Sequence, residues 1–91
     1  MSESRRLLVI DDDPTVCLSC QRILAQEGFE VDIQTEARQG LAHAIQHDYL
    51  GIVLDVRMPR LNGIQFLEEL RRSKPNLPVL ILTGFPSVAS A

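Results

Sequence analysis

The chain alternates dense apolar runs with stretches in which apolar residues return every three or four positions, and these two periods predict strands and helices in turn. Leu7-Leu8-Val9-Ile10 is closed abruptly by Asp11-Asp12-Asp13-Pro14, which reads as a buried first strand over about 6–10. Asp13 then suits a helix N-cap and Pro14 the first turn, while Val16, Cys20, Ile23 and Leu24 share one stripe. A first helix is expected over 14–27, with Gly28 stopping it. Glu30-Val31-Asp32-Ile33-Gln34 alternates strictly, the mark of a half-exposed second strand over 30–34. In a mostly parallel sheet such a strand belongs at an edge, which leaves the first strand inside.

Ala37, Leu41, Ala44 and Ile45, extended by Tyr49, form the stripe of a second helix expected over 36–47. Ile52-Val53-Leu54 makes a third strand over 51–55 that terminates on Asp55. Pro59 and Asn62-Gly63 mark a loop, after which Ile64, Leu67 and Leu70 recur at helical spacing with Phe66 beside them, predicting a third helix over 63–73. Val79-Leu80-Ile81-Leu82 gives a fourth strand over 78–83 running into Thr83-Gly84, and Pro86-Ser87 looks like the entry to a further helix over 87–91. Strands alternating with helices at this spacing imply right-handed βαβ crossovers and an α/β fold, a parallel sheet covered on both faces.

Composition narrows the function classes. With 91 residues, 45% hydrophobic and 23% charged, the chain suits one compact domain and excludes a disordered or collagen-like segment. Nine basic against twelve acidic side chains give a net charge of −3, which lacks the positive footprint of a nucleic-acid binder. No apolar run approaches the roughly 20 residues that span a bilayer, and the apolar stretch after Arg5-Arg6 is too short for a secretory signal, so no membrane partner and a cytoplasmic location are expected. Cys17 and Cys20 are too few for a disulfide framework and cannot alone fill a four-ligand metal site. Cys20 is expected inward and Cys17 more outward, both as small apolar fillers. His43 and His47 stand off the apolar stripe without companion acids and read as solvated, as do Glu68, Glu69, Arg71 and Arg72. The absence of G-x-x-x-x-G-K, G-x-G-x-x-G and G-x-S-x-G removes nucleotide and serine-hydrolase readings.

Candidate chemistry lies at the strand ends, because ligands of open α/β sheets bind beyond the carboxyl ends of the strands where strand order reverses. The first strand delivers Asp11 and Asp12 there, the third delivers Asp55, and the fourth delivers Thr83 with Gly84 behind it. Two carboxylates about 4 Å apart repel by roughly 4 kcal/mol at an effective dielectric near 20, so the cluster calls for a cation or a proton. Hard oxygen ligands in an open site suit Mg²⁺, which keeps several waters and takes one or two protein carboxylates. Asp13 is set apart as a helix cap.

These residues resemble the receiver domain of bacterial two-component response regulators. The resemblance rests on Leu8-Val9-Ile10-Asp11-Asp12-Asp13, on Leu54-Asp55-Val56-Arg57-Met58-Pro59 with Asn62-Gly63 after it, and on Ile81-Leu82-Thr83-Gly84. It implies a flavodoxin-like, doubly wound sheet of order 2-1-3-4 in which Asp55 accepts a phosphoryl group from a phosphohistidine on a sensor histidine kinase or phosphotransfer protein. It also implies Mg²⁺ held by Asp12, Asp55 and the main-chain carbonyl of Arg57, with Asp11 acting through water, and Thr83, with Gly84, stabilising the phosphoryl oxygens. Such a domain is a switch without independent turnover, coupled to an output domain in a longer parent protein. Phosphoryl transfer asks mainly for in-line positioning and charge neutralisation, which these residue types supply.

Two departures qualify the resemblance. Family receivers carry a lysine at the end of a fifth strand and an aromatic switch residue within it, and both would fall beyond position 91. The chain's lysine, Lys74, stands at the far end of the third helix, about 15 Å from the rim, and does not substitute. The sequence therefore reads as a single incomplete receiver domain over 1–91, lacking the fifth strand and last helix, and as a fragment of a longer protein. An uncovered fourth strand would then offer its edge for a homodimer. The competing function class is an interaction module whose chemistry is disabled. An aspartyl-nucleophile phosphatase would want a second acid where Arg57 stands.

Overall fold

The structure is a computed structural model and describes residues 5–82. Its elements run β1 (Arg6–Ile10), α1 (Pro14–Gln26), β2 (Glu30–Gln34), α2 (Ala37–Gln46), β3 (Gly51–Asp55), α3 (Gly63–Ser73) and β4 (Val79–Leu82). The strands form one four-stranded sheet of order β2-β1-β3-β4, with every neighbouring pair parallel. This is the flavodoxin-like order 2-1-3-4, with β2 lateral and β1 interior as the alternation in β2 predicts. Thr83, Gly84 and the expected helix over 87–91 lie outside the described residues.

The pleat divides the core in two. Leu8 and Ile10 of β1 join Ile52 and Leu54 of β3 beneath α2 and α3, where Ala44, Phe66 and Leu70 cover them. Val9 and Val53 point to the opposite face and meet Cys17 of α1, with Cys20, Leu24 and Leu82 around them. All five residues of β3 are buried, as a central strand covered on both faces requires. Each fully buried Leu or Ile contributes roughly 1.5–3 kcal/mol.

Helix boundaries follow from local chemistry. Asp13 caps α1, its Oδ1 accepting from Thr15 N at 2.9 Å, and Pro14 occupies the first helical position. At the other end Phe29 N donates to Leu24 O and Gly28 N to Ala25 O, a paired C-terminal closure that needs Gly28 at φ 93°. Arg5 reinforces that end, its Nε donating to Gly28 O at 3.1 Å while its guanidinium sits 4.9 Å from the Phe29 ring centre. Glu36 and Asn62 cap α2 and α3 by accepting from Gln39 N and Gln65 N. Glu27, Glu36 and His47, expected inside helices, are thus cap residues.

Three expected orientations are corrected. Cys17, not Cys20, is the fully buried cysteine of α1; Cys20 is half-buried, and Ile23 is 61% exposed. The inward line runs through Cys17, Cys20, Gln21 and Leu24. Polar Gln21 belongs to it because its Nε2 donates to Val31 O of the edge strand at 2.9 Å, so apolarity alone misplaced the stripe. In α3, Phe66 and Leu70 set the buried face, whereas Ile64 in the first turn is 74% exposed. Tyr49 is not part of α2: it lies in the connection to β3, buried, with its hydroxyl donating to Asp32 Oδ2 at 2.7 Å.

Candidate functional site: an acidic cluster at the carboxyl rim of the sheet

Parallel pairing sends every strand's carboxyl end to one rim, and the register aligns the acids there. Ile10 is level with Leu54, so Asp11 and Asp55 follow their strands to neighbouring positions. Asp11 N donates to Gln34 O at 3.1 Å, extending the β1–β2 ladder by one bond and fixing the residue against the sheet. Leu82 is level with Asp55, which brings the fourth strand to the same rim immediately before Thr83.

One carboxylate oxygen from each of Asp11, Asp12 and Asp55 lies within 4.8 Å of the other two. Asp11 and Asp55 are buried, 4% and 6% exposed, and Asp12 faces solvent. Two backbone turns orient the buried pair: Asp13 N donates to Asp11 Oδ1 at 2.9 Å, and Arg57 N donates to Asp55 Oδ1 at 3.0 Å. The site thus has two held carboxylates at the floor and one accessible carboxylate at the mouth.

The electrostatics are unfavourable without a cation. Burial pushes the Asp11 carboxyl above the ordinary carboxylate range, and the adjacent Asp55 charge adds to the rise against the opposing bond from Asp13 N. The donor set is all hard oxygen, partly open, and short of positive charge, which fits a divalent ion such as Mg²⁺ better than a soft metal.

Each sequence-predicted residue can now be located. Asp11, Asp12 and Asp55 converge, and Arg57 stands one turn from Asp55 through its backbone N–H. Thr83 and Gly84 fall outside the described residues. Lys74 is at the opposite end of the sheet, its Nζ donating to His47 O at 2.9 Å and lying 3.9 Å from Asp48, beside the entry to β3. His43 and His47 stack at 5.4 Å between ring centres and join no acid cluster among the described residues. Sequence reasoning missed the floor of the site, where the buried Cys17 thiol donates to the Asp11 carbonyl at 3.3 Å. It also missed Arg38 and Arg60, which line a cleft beside Asp12. Only the nearness of Arg60 to Asp55 in sequence could have flagged either.

Comparison with known proteins gives a consistent picture. Residues 7–91 match the family described as response regulator receiver domain. The response regulator MprA of Mycolicibacterium vanbaalenii is 38% identical over 84 residues, covering 92% of this chain and 36% of that protein. The chain thus spans about a third of the length of that curated relative. A CheY-like receiver domain protein from Methanospirillum hungatei superposes with a TM-score of 0.83 at 30% identity, covering 96% of this chain and 70% of the other. The Thermotoga maritima response regulator TrrA, solved in complex with Mg²⁺-BeF, superposes with a TM-score of 0.82 at 28% identity, covering 93% and 74%. Among the described residues no helix is long and apolar enough to cross a membrane.

Proposed function

The chain belongs to the response regulator receiver domain family, and on that premise we propose that Asp55 is a phosphoacceptor, taking a phosphoryl group from a phosphohistidine on a sensor histidine kinase or phosphotransfer protein. The observation that carries this reading is the meeting of Asp55 with Asp11 and Asp12 within 4.8 Å at the rim. A carboxylate oxygen of Asp55 attacks the phosphorus, the phosphorus–nitrogen bond breaks, and its electron pair returns to the imidazole of the donor. The Arg57 N–H on Oδ1 holds the plane of the nucleophile, and burial of β3 limits its sway.

Asp12, Asp55 and the main-chain carbonyl of Arg57, with Asp11 through water, would hold Mg²⁺, which supplies neutralisation of charge between the acids and the incoming phosphoryl. Thr83, with Gly84, would donate to the phosphoryl oxygens. The resulting acyl phosphate adds charge at the rim and biases a two-state surface that an output domain of a longer parent protein reads. In this reading the domain is a cytoplasmic switch without turnover of its own.

Incubation with phosphoramidate and Mg²⁺ followed by intact-mass measurement tests the reading. The parent chain should gain one phosphoryl group and Asp55→Asn none. An Asp55→Asn chain that gains the same mass would defeat the assignment, and a parent that gains none would favour the interaction module.

A further inference from the structure

The cleft beside Asp12 holds about 510 Å³, within the range of small-ligand sites, and runs between the start of α2 and the turn after β3. Ala37, Met58 and Pro59 supply apolar wall, Arg38 stands on the α2 side, and Arg60 stands on the turn. Among the described residues neither guanidinium has a carboxylate partner within ion-pair distance. This matters because any phosphodonor is an anion, and the carboxylates of the rim repel it. Arg38 and Arg60 are the two cationic side chains of a lining that also carries Asp12 and Glu36, so they offset those acids along a cleft that opens beside Asp12 of the rim.

The chemistry narrows the donor. A phosphorylated aspartate is itself an acyl phosphate, so a small donor must match its transfer potential: another acyl phosphate, or a phosphorus–nitrogen compound. When an acyl phosphate reacts, the Asp55 oxygen bonds to phosphorus and the bond from phosphorus to the acyl oxygen breaks. Its electron pair leaves on a carboxylate, and no proton is required. Guanidinium groups are suited to that leaving carboxylate, which they can meet with paired N–H donors. When phosphoramidate, protonated on nitrogen, reacts, neutral ammonia leaves and the guanidiniums gain nothing.

Resting on the assignment of Asp55 as the phosphoacceptor, we propose that Arg38 and Arg60 form a leaving-group subsite that makes this domain, among small-molecule donors, selective for acyl phosphates over phosphoramidate. They are specificity-determining residues. The apolar wall accepts the carbon body of the acyl group while the guanidiniums take its oxygens.

The 91-residue chain and its Arg38→Gln/Arg60→Gln variant are compared with acetyl phosphate and with phosphoramidate, each with Mg²⁺, by intact mass against time. The variant should lose about tenfold in rate with acetyl phosphate, equivalent to about 1.4 kcal/mol, and keep its rate with phosphoramidate. Arg38→Lys/Arg60→Lys should recover part of the loss. Equal slowing with both donors, or none with either, overturns the subsite while leaving Asp55 as acceptor. A second readout needs no turnover: acetonylphosphonate, an unreactive carbon-bridged analogue of acetyl phosphate, should shift the amide resonances of Ala37, Arg38 and Arg60 in the parent and far less in the Gln variant. Absence of those shifts in a parent that phosphoramidate labels also overturns the subsite. A parent that neither donor labels takes down the phosphoacceptor reading and this inference together.

Discussion

A Cβ built on Gly40 of α2 would stand 2.6 Å from Cδ1 and 2.8 Å from Cγ1 of Ile10, so the helix backbone rests directly on a fully buried β1 side chain. Helix propensity favours Gly40→Ala by about 1 kcal/mol, while overpacking a tight contact costs typically about 1–3 kcal/mol. The packing cost should win, giving a net loss of about 1 kcal/mol in urea unfolding. Ile10→Val, which removes the nearest methyl, should then cost less in the Gly40→Ala background than in the parent. Strict additivity of the two changes would show that the contact is not the cause.

Replacing Asp11 should stabilise the chain in the absence of divalent cations. Asp11 is buried beside Asp55, and Asp11→Asn keeps an oxygen for Asp13 N while removing one of two adjacent buried charges. The melting temperature of Asp11→Asn in a chelating buffer should exceed that of the parent. Added Mg²⁺ should raise the parent's melting temperature more than the variant's. The same or a lower melting temperature for the variant in chelator would mean that the acids do not strain the fold.

Alkaline stability should carry the signature of Cys17. Burial pushes its thiol from 9.0 to about 11, with the Asp11 charge adding to the rise. The folded state therefore holds the proton more tightly than the unfolded state. The stability this lends is fully present below pH 9 and is lost as pH rises through about 11. A shift of that size corresponds to roughly 2–3 kcal/mol. Cys17→Ala should flatten the fall in stability between pH 9 and 11, measured by urea midpoints, and the native parent should modify at Cys17 with a thiol reagent only on unfolding.

Tyr49→Phe should cost about 1 kcal/mol, the worth of a hydrogen bond to a partly solvated carboxylate. The same network pushes the tyrosine hydroxyl well above its ordinary value, through burial first and the Asp32 bond second. The parent's tyrosine absorbance should thus show no ionisation at pH 11 while folded. Titration of a folded chain near the ordinary tyrosine value would contradict the 2.7 Å bond.

Most of the fold was legible because period and punctuation agreed. The run ending at Ile10 and the run ending at Leu54 are each followed by an acid, and a parallel sheet leaves those acids nowhere to go but one rim. Less legible were the faces of the helices. Cys17 and Cys20 are equally apolar, and what chose between them was the reach of Gln21 to the edge of β2, a polar contact that hydrophobic patterning scores against. Ile64 misled for the converse reason, since Phe66 and Leu70 one turn apart already fill the space under α3. The backbone turns that aim Asp11 and Asp55 left no signature, because a carboxylate that accepts from the amide two residues on can be followed by almost any residue.

Because β3 is buried from Gly51 to Asp55, its amides should exchange with solvent only through global opening, and the residue at its tip inherits that immobility. A new charge placed there has no freedom to relax by moving its own strand. Accommodation must fall on what is tethered less firmly: the exposed Pro59 and Arg60 of the following turn, and the far end of β4 across from Asp55.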